Sequence, residues 1–424
     1  MPRPLDLAYF TAALATSPIW ITRMIRTGKH RTDWPGRFGR GDRLPETNRP
    51  RVLLHAVSVG EVNATDLLVD DLQRGTPAIE PVIATMTDTG FERAERLFAD
   101  RCPVVRFPFD SSGAVRRLLD RVRPDAVGLV ELEVWPNFLA ECRRRDIPVA
   151  VVNGRLSERS FGRYRRLGPI ARSLFRPLAA VAAQDETYAG RFRAVGVDPD
   201  RITVTGSMKW DTARIADSVD GADALAEAMG IDRTRPLVVA GSTAPGEHRL
   251  LRDAIPEGVQ LLCAPRKPEW FDEAARDLEG CARRSRGDRG SRTDRFLLDT
   301  IGELRAAYGL ADLVVVGRTF VDLGGSDMIE PVALGRPTII GPDTTHFQVI
   351  AGDLEEAGGL RRCGPDELGD AIRSILADPE AAAGMATAGR RLIRDRQGAT
   401  TALGDLLRTL VARADSTTAA GTSA

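Results

Sequence analysis

Lysine is almost absent from this chain. Of its 59 basic residues only Lys29, Lys209 and Lys267 are lysines, which leaves 56 arginines. Arginine at that frequency is compositional, so a single arginine marks no site, whereas a lysine at a strand end stands out. Net charge is lacking too, because 59 acidic side chains bring the formal charge to +0. That balance excludes the pervasive basic field of a nucleic-acid-binding protein, so nucleic acid is not an expected partner and any anion site must be local. The five cysteines (Cys102, Cys142, Cys263, Cys281, Cys363) stand singly, with no CxxC spacing. They suggest neither a disulfide framework nor a zinc site, and a reducing cytosolic compartment fits. The four histidines (His30, His55, His248, His346) are scattered, which argues against a histidine-built metal site.

A long hydrophobic run is missing as well. The most apolar segment, residues 5–21, carries Asp6 and Pro18 and lies at the short limit for a spanning helix. It has neither the basic start nor the small-residue cleavage site of a signal peptide. Arg23, Arg26, Lys29, Arg31, Arg37, Arg40, Arg43 and Arg49 follow it. An apolar helix with a basic skirt suits the cytoplasmic face of an anionic membrane, where it lies in or dips into the lipid. The competing reading is a helix packed on the first domain.

What is present is apolar material in the alternation of an α/β protein. Hydrophobic residues make up 43% of 424, enough for two or three cores. From residue 51 the runs RVLLHAV, EPVIATM, CPVVRF, DAVGLVEL, IPVAVVN, LAAVAAQ and RITVTG alternate with helix-length stretches. After a polar, alanine-rich break come RPLVVAGS, VQLLCAP, ADLVVVG and RPTIIG. Continuous apolar strands separated by helices predict parallel sheets covered on both faces. The division is 1–35 (membrane-associated segment), 36–215 (first Rossmann-like domain), 216–235 (linker), 236–412 (second Rossmann-like domain) and 413–424 (disordered tail). The arginine-rich stretch 283–295 reads as a solvated loop.

Ligands of such sheets bind at the carboxyl ends of strands, so the loops there hold the candidates. After RVLLHAV come Ser58, Gly60 and Glu61, with glycine for a tight turn and a carboxylate at a helix start, where it either serves a ligand or complements the helix dipole. After DAVGLV come Glu131 and Glu133 beside Trp135, and after IPVAVVN comes Arg155, able to pair with those acids or grip an anionic acceptor. Lys209 follows RITVTG. In the second half Ser242 and Thr243 open a small-residue loop whose amides could cradle phosphate, and Arg266 and Lys267 follow VQLLCAP. Gly324, Gly325, Ser326 and Glu330 then form a glycine loop before an acid-bearing helix, as in a nucleotide site. Acids in the first half and nucleotide-like loops in the second read as acceptor and donor domains of a glycosyltransferase with two facing Rossmann-like domains.

The order of these motifs resembles the 3-deoxy-D-manno-octulosonic acid (Kdo) transferase family. The elements that carry it are WPGRFG (34–39), HAVSVGE (55–61), ELEVWPN (131–137), NGRLSERS (153–160), TGSMKWD (205–211), AGST (240–243), PRKPE (265–269), LLDTIGEL (297–304) and GGSDMIEP (324–331), with GP and HF in 341–347. The resemblance implies a GT-B fold and an inverting, metal-independent transfer of Kdo from CMP-Kdo to a lipid A precursor. It also implies attachment to the cytoplasmic face of the inner membrane through the N-terminal segment. By the same resemblance Glu61 is the general base. Ser242, Thr243, Arg266, Lys267, Gly324, Gly325, Ser326 and Glu330 bind the CMP-sugar, and Ser58, Gly60, Glu131, Glu133, Arg155 and Lys209 shape the acceptor side. No cofactor is implied. The chain departs from the family pattern at Ala244, Lys267, Ser326, Asp327 and His346. A relative using another activated sugar or acceptor therefore stays open, as does a non-catalytic nucleotide-binding homologue.

Overall fold

The structure, a computed structural model, describes Asp6, Leu7, Tyr9, Thr11, Thr16 and residues 32–290 and 293–421, with side chains as far as Arg413. Most of the expected membrane segment and Arg23, Arg26, Lys29 and Arg31 lie outside the described residues. Two compact units form, one of residues 1–212 with 397–424 and one of 213–396.

The sheet of the first unit contains β1 (Arg51–His55), β2 (Glu80–Thr85), β3 (Val104–Arg106), β4 (Ala126–Val130), β5 (Val149–Gly154), β6 (Ala180–Ala183) and β7 (Ile202–Val204). They lie in the order β3-β2-β1-β4-β5-β6-β7, every pair parallel. Alternation along each strand sends successive residues to opposite faces. Leu53, Val127, Leu129 and Val151 thus pack on one side with Val115, Leu118 and Phe138. Val52, Leu54, Val130 and Val152 pack on the other with Leu68, Leu72, Leu403 and Leu407.

The second sheet contains β8 (Leu237–Thr243), β9 (Gln260–Pro265), β10 (Ala282–Arg283), β11 (Arg295–Leu297), β12 (Leu313–Val316), β13 (Thr338–Ile340) and β14 (Arg361–Arg362). Its order is β10-β11-β9-β8-β12-β13-β14, again parallel throughout. In each sheet the chain order reverses beside the first strand, between β1 and β4 and between β8 and β12.

Three expected boundaries are corrected. Residues 216–235 are not a linker. The helix Ala222–Met229 buries Ala222, Leu225, Ala226 and Met229, one helical face, and a side chain at Gly309 would meet Val219 and Ala222. The chain does not stay in the second unit to 412 but returns to the first at Gln397. The Asp211 carboxylate accepts the N–H groups of Gly398 (2.7 Å) and Thr400 (2.5 Å), capping the final helix Ala399–Gly421. Leu403, Leu407 and Leu410 of that helix then fill the first sheet's core. The expected disordered tail from 413 is helical backbone as far as Gly421, in keeping with its alanines.

Part of the stretch 283–295 is also built into the fold. Arg283 forms strand β10 and donates to Asp299 (2.7 Å), and Arg284 pairs with Glu303 (3.0 Å). Where the N-terminal segment is described, it docks on the first unit. The Asp6 carboxylate accepts the Ser112 N–H (2.8 Å), and the Tyr9 hydroxyl donates to Asp110 (3.2 Å). No helix among the described residues is long and apolar enough to cross a membrane.

Candidate active site

Glu61 lies in the first turn of the helix Val59–Ala64, directly after β1. Ser58 is the N-cap: its hydroxyl accepts the Glu61 N–H (3.3 Å) and donates to Glu61 Oε1 (2.8 Å). The Val57 N–H donates to Oε2 (2.8 Å). This variant of the capping box fixes the orientation of the carboxylate. Burial, opposed by those two hydrogen bonds and helped by the charges of Glu131 and Glu133, raises its pKa to about 7. A carboxylate poised near neutrality can take a proton from an alcohol and release it again. Gly60 does not make the expected tight turn. It is helical, and the nearest atom to a Cβ placed there is Ser58 Oγ at 3.8 Å, so its bare backbone leaves space beside the carboxylate.

Glu131 follows β4, the neighbour of β1, and so shares the point where strand order reverses with Glu61. Its φ is +62°, left-handed for a residue with a side chain. Its N–H donates to Val152 O and its carbonyl accepts the Arg155 N–H, both at 3.0 Å. Glu133 is raised by burial and by Glu131. Arg155 does not grip these acids directly, since its Nε donates to the Tyr188 hydroxyl (3.4 Å). Lys209 sits on the short helix Met208–Asp211, whose first N–H donates to Asn153 Oδ1 (3.1 Å). Sequence reasoning missed Asn153 as the residue that ties NGR to TGSMKWD. Its signal was residue type, because asparagine tolerates the left-handed region and here has φ +53°. His55, which opens the SVGE motif, is a core residue: fully buried, stacked 3.6 Å from Phe107, and held neutral with a pKa lowered to about 4 by burial.

In the second unit the expected donor residues divide. Ser242, left-handed at φ +58°, lies beside the buried Tyr308 hydroxyl, which also feels the charges of Glu330, Asp327 and Arg266. Those residues therefore share one region at the ends of β8, β9 and β12. Glu330 accepts a hydrogen bond from Arg305 (3.2 Å). Ser326 is 5% exposed, and its hydroxyl is buried with no partner. The Thr243 side chain, by contrast, is fully buried and bonded to His248 Nε2 (3.0 Å). Lys267 is exposed, pairs with Glu269 (3.2 Å) and lies over the Trp270 ring at 4.9 Å.

Three amides of the two expected cradles are already engaged. Gly324 (φ +77°) and Gly325 (φ +83°) need glycine's conformational freedom, and a Cβ on Gly324 would sit 2.2 Å from the His346 ring. Their N–H groups go to Asp343 and to Arg318 O, so they offer nothing to a phosphate. After β8 the Ala244 N–H goes to the Glu247 carboxylate (2.9 Å), which also accepts from Arg318 (2.8 Å) and Phe320 (3.1 Å). A helix start attracts an anion, and here the chain supplies its own. Sequence reasoning missed Glu247, although a glutamate three residues into a helix-entry loop was its signal. Among the described residues no group of acids, histidines and cysteines is placed to hold a metal ion.

A family profile for 3-deoxy-D-manno-octulosonic-acid transferase (kdotransferase) matches residues 32–212. The 3-deoxy-D-manno-octulosonic acid transferase of Bordetella pertussis is 36% identical over 90% of this chain and 94% of its own. That of Haemophilus influenzae is 31% identical over 85% and 87%. Anabaena Alr3699/HepE, solved in complex with UDP, superposes with a TM-score of 0.57 over 86% of this chain and 100% of its own at 15% identity, a likeness of fold. Two parallel α/β units of the GT-B kind and relatives spanning nearly the whole chain place it in the 3-deoxy-D-manno-octulosonic acid transferase family, as a glycosyltransferase.

Proposed function

We propose that this protein transfers Kdo from CMP-Kdo to a glucosamine hydroxyl of a lipid A precursor, with inversion, without a metal ion, at the cytoplasmic face of the inner membrane. The observation that carries the chemistry is Glu61: a half-buried carboxylate, oriented from two sides and raised to about 7. In the step, the acceptor oxygen attacks the anomeric carbon of Kdo while the bond from that carbon to the CMP phosphate oxygen breaks. CMP leaves with the electron pair, and the acceptor's proton passes to Glu61. Glu131 and Glu133 keep the carboxylate basic by opposing its ionisation. Arg266, exposed at the end of β9, is suited to the donor phosphate or the Kdo carboxylate, and the unpartnered Ser326 hydroxyl to a polar atom of the nucleotide. The family's implication supports the donor and acceptor; the geometry supports the base.

Incubation of the purified protein with CMP-Kdo and lipid A precursor, read by mass spectrometry, should give a Kdo-bearing product. Absence of product at any protein concentration would sink this reading. Glu61→Gln keeps the size and one acceptor oxygen but cannot take a proton, so it should lose on the order of 10²–10⁴-fold in turnover while binding CMP nearly as before. Normal turnover in that variant would remove Glu61 from the role of base.

A further inference from the structure

A groove of about 910 Å³ lies on the first unit, walled by the loop 39–43, the end of the helix Ser112–Val122 and the residues preceding β4 and β5. It is at the end of the sheet where those strands begin, opposite Glu61 and Glu131. Six arginines line it: Arg40, Arg43, Arg117, Arg121, Arg123 and Arg145. Its two aspartates are engaged, Asp125 by the Arg51 N–H (2.6 Å) and Asp120 by Arg145 (2.7 Å). Glu46 meets Arg123 (3.0 Å), and Asp33 and Asp42 reach Arg121 through space only.

Backbone carbonyls hold three of these guanidinium groups in place, Arg121 by Arg40 O (3.0 Å), Arg123 by Leu44 O (2.7 Å) and Arg145 by Arg116 O (3.5 Å), without neutralising their charge. The Nε atoms of Arg121, Arg123 and Arg145 are all shut off from water and have no acceptor. Those Nε atoms are out of a ligand's reach, so what draws an anion is the summed positive charge of the lining, with Arg40 and Arg43 exposed at its rim. Next to the groove, Arg117 Nε donates to the Phe38 carbonyl (2.8 Å), which fixes the loop that presents Phe38. Phe38 and Phe109 are 45% and 41% exposed and meet edge to face at 5.8 Å, with Trp34 stacked 6.3 Å from Phe38. Exposed aromatic rings beside clustered arginines match the chemistry of a bilayer's interfacial layer, where rings enter among headgroups and guanidinium groups meet phosphates.

We propose that this groove seats the phosphate headgroup of an anionic membrane lipid while Phe38 and Phe109 enter the interfacial layer. The first unit thereby gains a membrane contact separate from residues 5–21. The inference does not depend on which sugar is transferred.

The test is co-sedimentation of the full chain with phosphatidylcholine vesicles, with and without phosphatidylglycerol. Arg40→Glu with Arg43→Glu changes two exposed residues outside the catalytic machinery. Partitioning onto phosphatidylglycerol vesicles should fall about thirty-fold or more, since each basic residue near an anionic surface contributes about 1 kcal/mol. Transfer to detergent-dispersed acceptor should be unchanged. Arg74→Glu with Arg96→Glu makes the same charge change at exposed residues that do not line the groove, and should keep most of the binding. Equal loss in both pairs would assign attachment to diffuse charge and overturn the proposal, as would no loss in the groove pair. A thermal shift with inorganic phosphate that the groove pair abolishes, with vesicle binding intact, would assign the groove to a free anion and overturn the lipid.

Discussion

Glu61 and Glu247 occupy matching places: each follows a glycine in the loop leaving the first strand of its sheet, and each turns its carboxylate back onto backbone amides. Their fates differ through solvation. Glu247 is 1% exposed and saturated by three backbone N–H groups from two loops, so it is an internal strut. Glu61 keeps an open side and two acidic neighbours, which makes its proton exchangeable near neutral pH. The base must be ionised, so kcat/KM should rise with pH through a limb near 7. Two substitutions should move that limb in opposite directions. Ser58→Ala removes a hydrogen bond that favours the ionised form and should shift it to higher pH, and loss of the N-cap should cost about 1 kcal/mol of stability. Glu131→Gln removes a like charge and should shift it to lower pH. A pH–rate profile of each variant checks both signs, and shifts in the same direction would contradict this electrostatic account.

At this scale the local pattern of Glu61 left a ligand role and a helix-dipole role open, and only the family resemblance singled it out as the base. Glu247 follows the same local pattern, and only its burial reveals the opposite use. Thr243 was misjudged for the same reason: a strand-end threonine can face either way, and here its hydroxyl meets His248. Among the described residues, four of the six left-handed residues with side chains, Glu131, Asn153, Ser242 and Arg318, fall at or just after the ends of β4, β5, β8 and β12. Each carries about 1–2 kcal/mol of backbone strain, which persists where surrounding structure holds a functional loop.

Among elements, the final helix is the most consequential. It starts at the Asp211 cap and lays Leu403 and Leu407 across the first sheet, packed with Leu54, Val130 and Val152. Leu407→Ala should cost roughly 2–5 kcal/mol, and Asp211→Ala roughly 1–2 kcal/mol with faster hydrogen exchange at Thr400. Denaturant titration and exchange mass spectrometry read both. Sequence reading placed the start of this helix in the second domain, because nothing local to it says which sheet it covers. Strands β10 and β14 escaped reading because two residues at a sheet edge leave no hydrophobic run to recognise, and β11 because its three residues directly follow an arginine-rich stretch.

For the whole molecule, one unit is continuous in sequence and the other is not. Residues 213–396 expressed alone should therefore fold cooperatively, while residues 1–212 alone should be aggregated or molten because the helix from Ala399 is missing. Near-UV circular dichroism of each fragment, with 397–424 fused back to 1–212 through a flexible linker, should show rescue of the first unit only in the fused form. A well-folded 1–212 fragment would show that the returning helix is dispensable.

By itself the sequence determined two parallel α/β sheets, all seven strands of the first, the family, and Glu61 at a strand end, because strand periodicity and motif spacing are local properties. Only the tertiary structure decided that 397–424 belong to the first unit, that Thr243 and the glycine amides are spent internally, and that six of 56 arginines converge on one groove. Those outcomes depend on which surfaces meet and which polar groups lose water, and neither is written in any short stretch of chain.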